Sequence, residues 1–179
     1  MSFESGSFYS GKIPAAWLVP GLALGMSLGA LAVAYGSQYW GGLAPCVLCL
    51  YQRAAYGAVI FFAAAALVLV LGGKQRAAQR LTGLCALGFL IGAGIAFYHV
   101  GVEQQWWPGT EACVGTAAGS AQTIEELRTQ LLTAPVVRCD DVGWSLFGIS
   151  MAGYNGIFSL ALAAATFSGL RRMREEGPS

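Results

Sequence analysis

The sequence predicts an all-α membrane protein, a bundle of four transmembrane helices with a long loop on the outer side of the membrane. Hydrophobic residues make up 56% of its 179 residues, and charged residues make up only 11%. A soluble globular chain carries about 25% charged residues, so most of this surface must face something other than water. The charged residues also leave four long gaps. The formal net charge of +1 gives no indication of a nucleic-acid partner.

Each uncharged gap is long enough to form a helix that crosses the membrane. About 20 apolar residues span the roughly 30 Å of hydrocarbon. Helices buried in a soluble bundle would instead show a polar face with a period of about 3.6 residues, and these gaps show none. We predict spans over about 15–36, 46–72, 81–101 and 145–168, in a single membrane domain of residues 1–179.

The first span could instead be a cleaved signal sequence, because Lys12 precedes it and small residues follow near Ala32. The apolar part of a signal sequence is about 7–15 residues long. Here the apolar run extends from Ala15 past Ala34. We therefore predict that the segment is retained as a membrane span.

Lysine and arginine residues determine the predicted orientation. They precede the first span, fill the loop at 74–80 and follow the fourth span: Lys12, Lys74, Arg76, Arg80, Arg171, Arg172 and Arg174. By the positive-inside rule, both termini and the 74–80 loop lie in the cytoplasm. The loops at about 37–45 and 102–143 then face outward.

The long outer loop contains one pattern typical of a helix. Thr123 and Glu126 match a capping box. Ile124, Leu127 and Leu131 then fall on one helix face. The pattern predicts a short amphipathic helix, either on the membrane surface or packed only on the rest of the loop.

Four of the five cysteines map to the outer side of the membrane. Cys46 and Cys49 lie at the outer end of the second span, and Cys113 and Cys139 lie in the long outer loop. An oxidising compartment supports disulfides, so these four cysteines are predicted to act as two pairs. Cys85 lies inside the third span and is predicted to be a small buried hydrophobic residue.

The spacing of Cys46 and Cys49 is the C-x-x-C pattern of thiol redox exchange. Pro45 precedes the pair as a residue at a helix start would, so both thiols should lie in the first helical turn. The free N–H groups and the helix dipole favour a thiolate there. Arg53 follows Cys49 by four residues and lies on the same helix face, where its charge favours the thiolate further.

Two other interpretations of the outer cysteines compete with a redox role. The four thiolates could bind a structural zinc ion, although the loop cysteines lack a C-x-x-C of their own. The cysteines could also form two structural disulfides. A disulfide across so short a loop as C-x-x-C removes little conformational entropy from the unfolded chain, so it contributes little to folding stability.

The segment around the C-x-x-C resembles the signature of the DsbB family of disulfide-forming membrane oxidoreductases. It reads Pro45-Cys46-Val47-Leu48-Cys49-Leu50-Tyr51-Gln52-Arg53. The resemblance covers most of the chain, from the first span to the fourth. It includes the order of the elements, with the C-x-x-C at the second span and a separated cysteine pair in the outer loop.

This resemblance implies an electron relay between two cysteine pairs. Reduced DsbA, a thioredoxin-fold periplasmic protein, would be reoxidised by the loop disulfide Cys113–Cys139. The electrons would pass to Cys46–Cys49 and then to ubiquinone or menaquinone in the membrane. By position in the family pattern, Cys113 should form the mixed disulfide with the partner and Cys139 should attack Cys46. Cys49 should face the quinone, and Arg53 should bind the quinone oxygen.

His99 lies about where the family places a histidine near the quinone, at the outer end of the third span. It could donate a proton to the reduced quinone, or it could be only a polar anchor at the interface. Glu103, four residues further on, could pair with it. No metal site is predicted.

The predicted location is the bacterial inner membrane, with the redox cysteines in the periplasm. Two alternatives remain open. One is a non-enzymatic four-span scaffold whose loop is braced by structural disulfides. The other is an enzyme like vitamin K epoxide reductase, but there the C-x-x-C follows the loop pair, whereas here it precedes that pair.

Overall fold

The computed structural model describes residues 13–110, 113, 123–125 and 137–176. In these ranges four long helices dominate the fold, together with one short β-hairpin. The helices are α1 (Ala15–Tyr39), α2 (Val47–Leu71), α3 (Gln75–Glu103) and α4 (Met151–Glu176), and the strands are β1 (Ser145–Leu146) and β2 (Ile149–Ser150). Helices α1, α2 and α3 are long and apolar enough to cross a membrane. The prediction of helices able to span a membrane is therefore confirmed for three of the four predicted spans.

Helix α4 differs from the predicted fourth span in its start and in its polarity. It begins at Met151 and not near residue 145, because β1 and β2 pair there in an antiparallel hairpin. Phe147 and Gly148 form its turn with φ of 51° and 78°, the two positive values that a type I′ turn requires. Tyr154 and Asn155 in the first turns, and charged residues at the C-terminal end, make α4 less apolar than the other three helices.

Most of the amphipathic helix predicted in the outer loop lies outside the described residues. Of that segment the structure describes 123–125, where Ile124 and Glu125 are helical. Whether a helix continues through Leu127 and Leu131 stays a prediction.

The core of the bundle is built from all four helices. One buried cluster contains Ala23, Tyr56, Val59, Ala63, Cys85, Phe89 and Ala163. Cys85 is fully buried in it, as predicted for a small hydrophobic residue. Large apolar side chains such as Leu22, Phe61 and Phe97 are exposed on the outer faces of the helices, where lipid can cover them.

Helices α2 and α3 pack closely because α3 has a glycine where it faces α2. A Cβ atom added at Gly88 would lie 2.7 Å from Cγ2 of Val59. Val59 is fully buried, and a β-branched side chain has little freedom to rotate away. The contact therefore requires a residue without a side chain.

We predict that Gly88→Val destabilises the bundle by about 1–3 kcal/mol, the usual cost of overpacking a core. Gly94→Val is the matched control, because Gly94 is on the same helix and a Cβ there would meet nothing within 4 Å. Thermal or denaturant unfolding in detergent measures the difference. Equal stability of the two variants would show that the α2–α3 contact is looser than described.

Candidate functional site

The four outer cysteines come together at the N-terminal end of α2. Cys46, Cys113 and Cys139 belong to one buried cluster with Leu48 and Val102, and Cys49 packs against it. The exposed fractions of Cys46, Cys113 and Cys139 are 5%, 1% and 0%. Residues far apart in the sequence thus place four thiols within one small apolar volume, and the structure has all of them as free cysteines.

Cys46 is the N-cap residue of α2, and its sulfur organises the first turn. Its backbone is extended (φ −76°, ψ 172°), and its Sγ accepts a hydrogen bond from the backbone N–H of Cys49 at 3.3 Å. The Sγ atoms of Cys46 and Cys49 are 2.7 Å apart. The positive end of the helix dipole lies at this turn and favours negative charge on either sulfur.

Cys139 brings the loop pair next to the helix pair. It lies in one buried cluster with its loop partner Cys113 and with Cys46 of the helix pair. Its backbone N–H donates to the carbonyl oxygen of Cys113 at 3.2 Å. Thr110 donates a hydrogen bond from its hydroxyl to Cys113 Sγ at 3.3 Å. Cys139 is therefore placed to exchange disulfide bonds with either partner.

The thiol distances favour disulfide exchange over a zinc site. Cys46, Cys49 and His99 have potential ligand atoms within 4.8 Å of one another. Two thiolates on a tetrahedral zinc ion, with Zn–S bonds of about 2.3 Å, would lie about 3.8 Å apart. The 2.7 Å between Cys46 and Cys49 is much closer to the about 2.0 Å of a disulfide bond.

His99 extends from α3 to the helix cysteine pair. Its Nε2 lies 3.5 Å from Cys46 Sγ and 3.8 Å from Oε1 of Glu103. Ser150, just before α4, donates its hydroxyl to the other oxygen of Glu103. The suggested pairing of His99 with Glu103 is thus present, and both side chains are 6% exposed.

A chain of buried hydrogen bonds continues from the other ring nitrogen of His99. Nδ1 lies 3.1 Å from the amide nitrogen of Gln52. The amide oxygen of Gln52 accepts from Asn155 on α4, and Asn155 accepts from the hydroxyl of Tyr56 at 2.6 Å. Ser159 lies 2.9 Å from the same hydroxyl. These bonds satisfy polar groups that would otherwise be costly inside an apolar bundle.

Arg53 is held against the outer end of α1. Its NH1 donates to the side-chain oxygen of Gln38 at 2.5 Å, and its NH2 donates to the carbonyl oxygen of Ala34 at 3.0 Å. The guanidinium also lies over the ring of Tyr35, 4.9 Å from its centroid. These contacts fix a positive charge one helical turn below Cys49.

A cavity of about 570 Å³ opens beside these residues. All four helices contribute to its wall. Its polar lining includes Cys46, Cys49, Arg53, His99 and Asn155. Its apolar lining includes Met26, Ala30, Val33 and Phe158. This combination of apolar walls and a few convergent polar groups is typical of a small-molecule site.

Comparison with known proteins identifies the family. The family model described as disulfide bond formation protein DsbB matches residues 16–168. The chain belongs to the DsbB family. It is 30% identical over 154 residues to Disulfide bond formation protein B of Xanthomonas euvesicatoria pv. vesicatoria, and this alignment covers 82% of the present chain and 86% of the relative. It is 32% identical over 139 residues to the protein of the same name from Xylella fastidiosa, and that alignment covers 75% of the present chain and 78% of the relative. No solved structure gives a significant match.

Membership of the DsbB family makes this chain a multi-pass membrane oxidoreductase of disulfide bond formation. The structure brings all six residues predicted for its site to one end of the bundle: Cys46, Cys49, Arg53, His99, Cys113 and Cys139. Sequence reasoning missed Gln52, Tyr56 and Asn155. One signal could have found them, because polar side chains inside apolar spans are functional candidates.

Burial makes Cys139 a weak acid, and its reactivity should show this. Removal from water, and then the hydrogen bond with Cys113, raise the pKa of the Cys139 thiol to about 11. Only the thiolate is alkylated, so the alkylation rate of Cys139 in the reduced protein should rise about tenfold per pH unit from about pH 8 to 10. Mass spectrometry of the alkylated peptide gives the rate.

The urea-unfolded protein is the control, because there the Cys139 thiol regains an ordinary pKa of about 8.5 and the rate should level off near it. The same pKa difference affects folding stability. Because the pKa of the Cys139 thiol is higher in the folded protein than in the unfolded protein, its contribution to the free energy of unfolding decreases as the pH rises above the unfolded-state pKa. A plateau near pH 9 in the folded protein would show that Cys139 is not buried as described.

Proposed function

We propose that this protein oxidises a periplasmic DsbA-type dithiol protein through Cys113–Cys139 and passes the electrons to Cys46–Cys49 and then to a membrane quinone. The observation that carries the proposal is the position of Cys139, which lies in one buried cluster with both Cys113 and Cys46. One thiol within reach of both pairs is what a disulfide relay needs, because each exchange is an attack of one sulfur on another.

The relay consists of exchanges in which one S–S bond forms as another breaks. A partner thiolate attacks Cys113, and Cys139 leaves as a thiolate. Cys139 then attacks Cys46, so that a Cys46–Cys139 bond forms, the Cys46–Cys49 bond breaks and Cys49 leaves as a thiolate. The N-terminus of α2 and the guanidinium of Arg53 both favour negative charge on Cys49.

The access of the loop cysteines supports Cys113 as the one that meets the partner. Cys113 lines a second cavity of about 320 Å³, together with Trp106, Trp107 and Pro108. Both loop cysteines are almost fully buried, but of the two it is Cys113 that lines this cavity. A partner cysteine could approach Cys113 through the cavity, and Cys139 would then react within the chain.

The large cavity fits a quinone by its chemistry. Its walls are mostly apolar, and Cys49, Arg53 and His99 reach it together. A bound ubiquinone or menaquinone would accept two electrons and two protons. Arg53 has five N–H donors, two of which are engaged with α1, so the guanidinium can hold a quinone oxygen from a fixed position. His99 would face the same head group.

The charge distribution supports a location in the bacterial inner membrane. The positive-inside rule places the 74–80 loop and the basic end of α4 in the cytoplasm. The cysteine site lies at the opposite end of α2 and α3, and therefore in the periplasm. Helix α4 would be the fourth span, with its polar Tyr154 and Asn155 turned into the bundle, where both line the large cavity.

We expect Cys46→Ser and Cys49→Ser to lose quinone-dependent oxidation of a reduced thioredoxin-fold partner, because neither variant can form the helix disulfide. Cys85→Ser is the matched control and should keep turnover, since Cys85 lies apart from the site in the bundle core. Partner oxidation with ubiquinone or menaquinone as the only oxidant is followed on gels after thiol labelling.

Turnover in either helix variant would contradict the redox role of this pair. A wild-type protein that oxidises no partner with either quinone would instead favour the scaffold alternative.

A further inference from the structure

The hydrogen bonds that end at His99 have a direction. The hydroxyl of Tyr56 donates to Oδ1 of Asn155 at 2.6 Å, and Nδ2 of Asn155 donates to Oε1 of Gln52 at 2.5 Å. The amide nitrogen of Gln52 then faces Nδ1 of His99 at 3.1 Å. An amide nitrogen can only donate and an amide oxygen can only accept, so Nδ1 is the acceptor of the last bond.

This direction determines which ring nitrogen of His99 carries the proton. A neutral imidazole has one N–H, and its other nitrogen is an acceptor. We propose that Gln52 and Asn155 are positioning residues that hold His99 in the tautomer with the proton on Nε2, so that the ring donates a hydrogen bond to the sulfur of Cys46.

The surroundings of Nε2 support this tautomer independently. Nε2 faces Cys46 Sγ at 3.5 Å and Oε1 of Glu103 at 3.8 Å. Ser150 donates to the other carboxylate oxygen of Glu103 and is itself fixed by the N–H of Gly153 at 3.1 Å. A carboxylate accepts only, so an unprotonated Nε2 would set a lone pair against it, whereas an N–H is attracted to both neighbours.

The tautomer has a consequence for the relay, and this part rests on the proposed function. The second thiolate of the partner first attacks the partner sulfur of the mixed disulfide, so the partner leaves with its own disulfide and Cys113 is released as a thiolate. The Cys113 thiolate then attacks Cys139, the Cys113–Cys139 bond forms again, the Cys139–Cys46 bond breaks, and Cys46 leaves with the electron pair as a thiolate. The Nε2–H of His99 donates to that sulfur. Hydrogen bonds to an ionised acceptor are about twice as strong as neutral ones, so the ring stabilises Cys46 most in its leaving state.

The tautomer can be measured directly, because His99 is the only histidine in the chain. Protein labelled with nitrogen-15 histidine, reduced and purified through a tag without histidine, gives ring signals from one residue. Near pH 8, above the ordinary histidine pKa of about 6.5, the wild-type spectrum should show a protonated Nε2 and an unprotonated Nδ1. A wild-type ring protonated on Nδ1 overturns the proposal, and this arm needs no variant.

Gln52→Glu should reverse the tautomer. The carboxylate has the shape of the amide but only accepts, so it would take hydrogen bonds from both Asn155 and Nδ1–H of His99. The proton should then move to Nδ1. Ser168→Ala is the control, because that hydroxyl donates to the carbonyl oxygen of Ala164 within α4, and its loss should leave the spectrum unchanged. An Nε2–H ring in Gln52→Glu would show that Gln52 does not select the tautomer.

A kinetic arm separates the positioning role from the relay itself. The release of Cys46 from a trapped Cys46–Cys139 disulfide should slow at least about tenfold in Gln52→Glu, the loss of one hydrogen bond to a charged group. If the tautomer is reversed in Gln52→Glu but the rate of Cys46 release is unchanged, the tautomer has no role in the relay, although the relay itself is not contradicted. Absence of any Cys46–Cys139 exchange in the wild type would overturn the proposed function, while the spectra still test the tautomer.

Discussion

The N-terminus of α2 is the point on which the rest of the site depends. Cys46 caps the helix through its sulfur, and the bond from the Cys49 N–H holds the two thiols side by side. The same sulfur faces His99 from α3, and Cys46 shares a buried cluster with Cys139 from the outer loop. A single capping interaction thus sets the distance within one cysteine pair and also presents that pair to the other. If the helix began one residue later, the thiols would turn to a different face.

Burial of polar groups is the second constraint. An apolar bundle leaves few partners for a side chain such as Gln52, and each unsatisfied group would cost free energy. The chain through Asn155 and Tyr56 meets this demand by joining α2 to α4. The same bonds that stabilise the bundle therefore orient His99 at the cysteines. This double use explains why α4 carries the polar residue Asn155 in its first turns, where it faces the site.

The sequence predicted the membrane helices from their uncharged runs, and it predicted the C-x-x-C at a helix start from Pro45 and the spacing. Both are local patterns, which depend on neighbours in the chain. It could not predict that α4 begins at Met151, because the hairpin turn at Phe147 and Gly148 requires positive φ at a residue that rarely adopts it. Nor could it predict the partners of Gln52 and Arg53, since these depend on how helices distant in the sequence rotate against one another.

The contact between Cys139 and Cys46 is the central claim, and disulfide mapping tests it most directly. The double variant Cys49→Ser, Cys113→Ser removes two of the four outer cysteines and leaves Cys46 and Cys139 at the site. Mild oxidation in detergent should then yield an intramolecular Cys46–Cys139 disulfide, found by mass spectrometry of the linked peptides. Free thiols after oxidation, or a disulfide only between molecules, would show that the loop cysteine does not reach the helix pair and would contradict the relay.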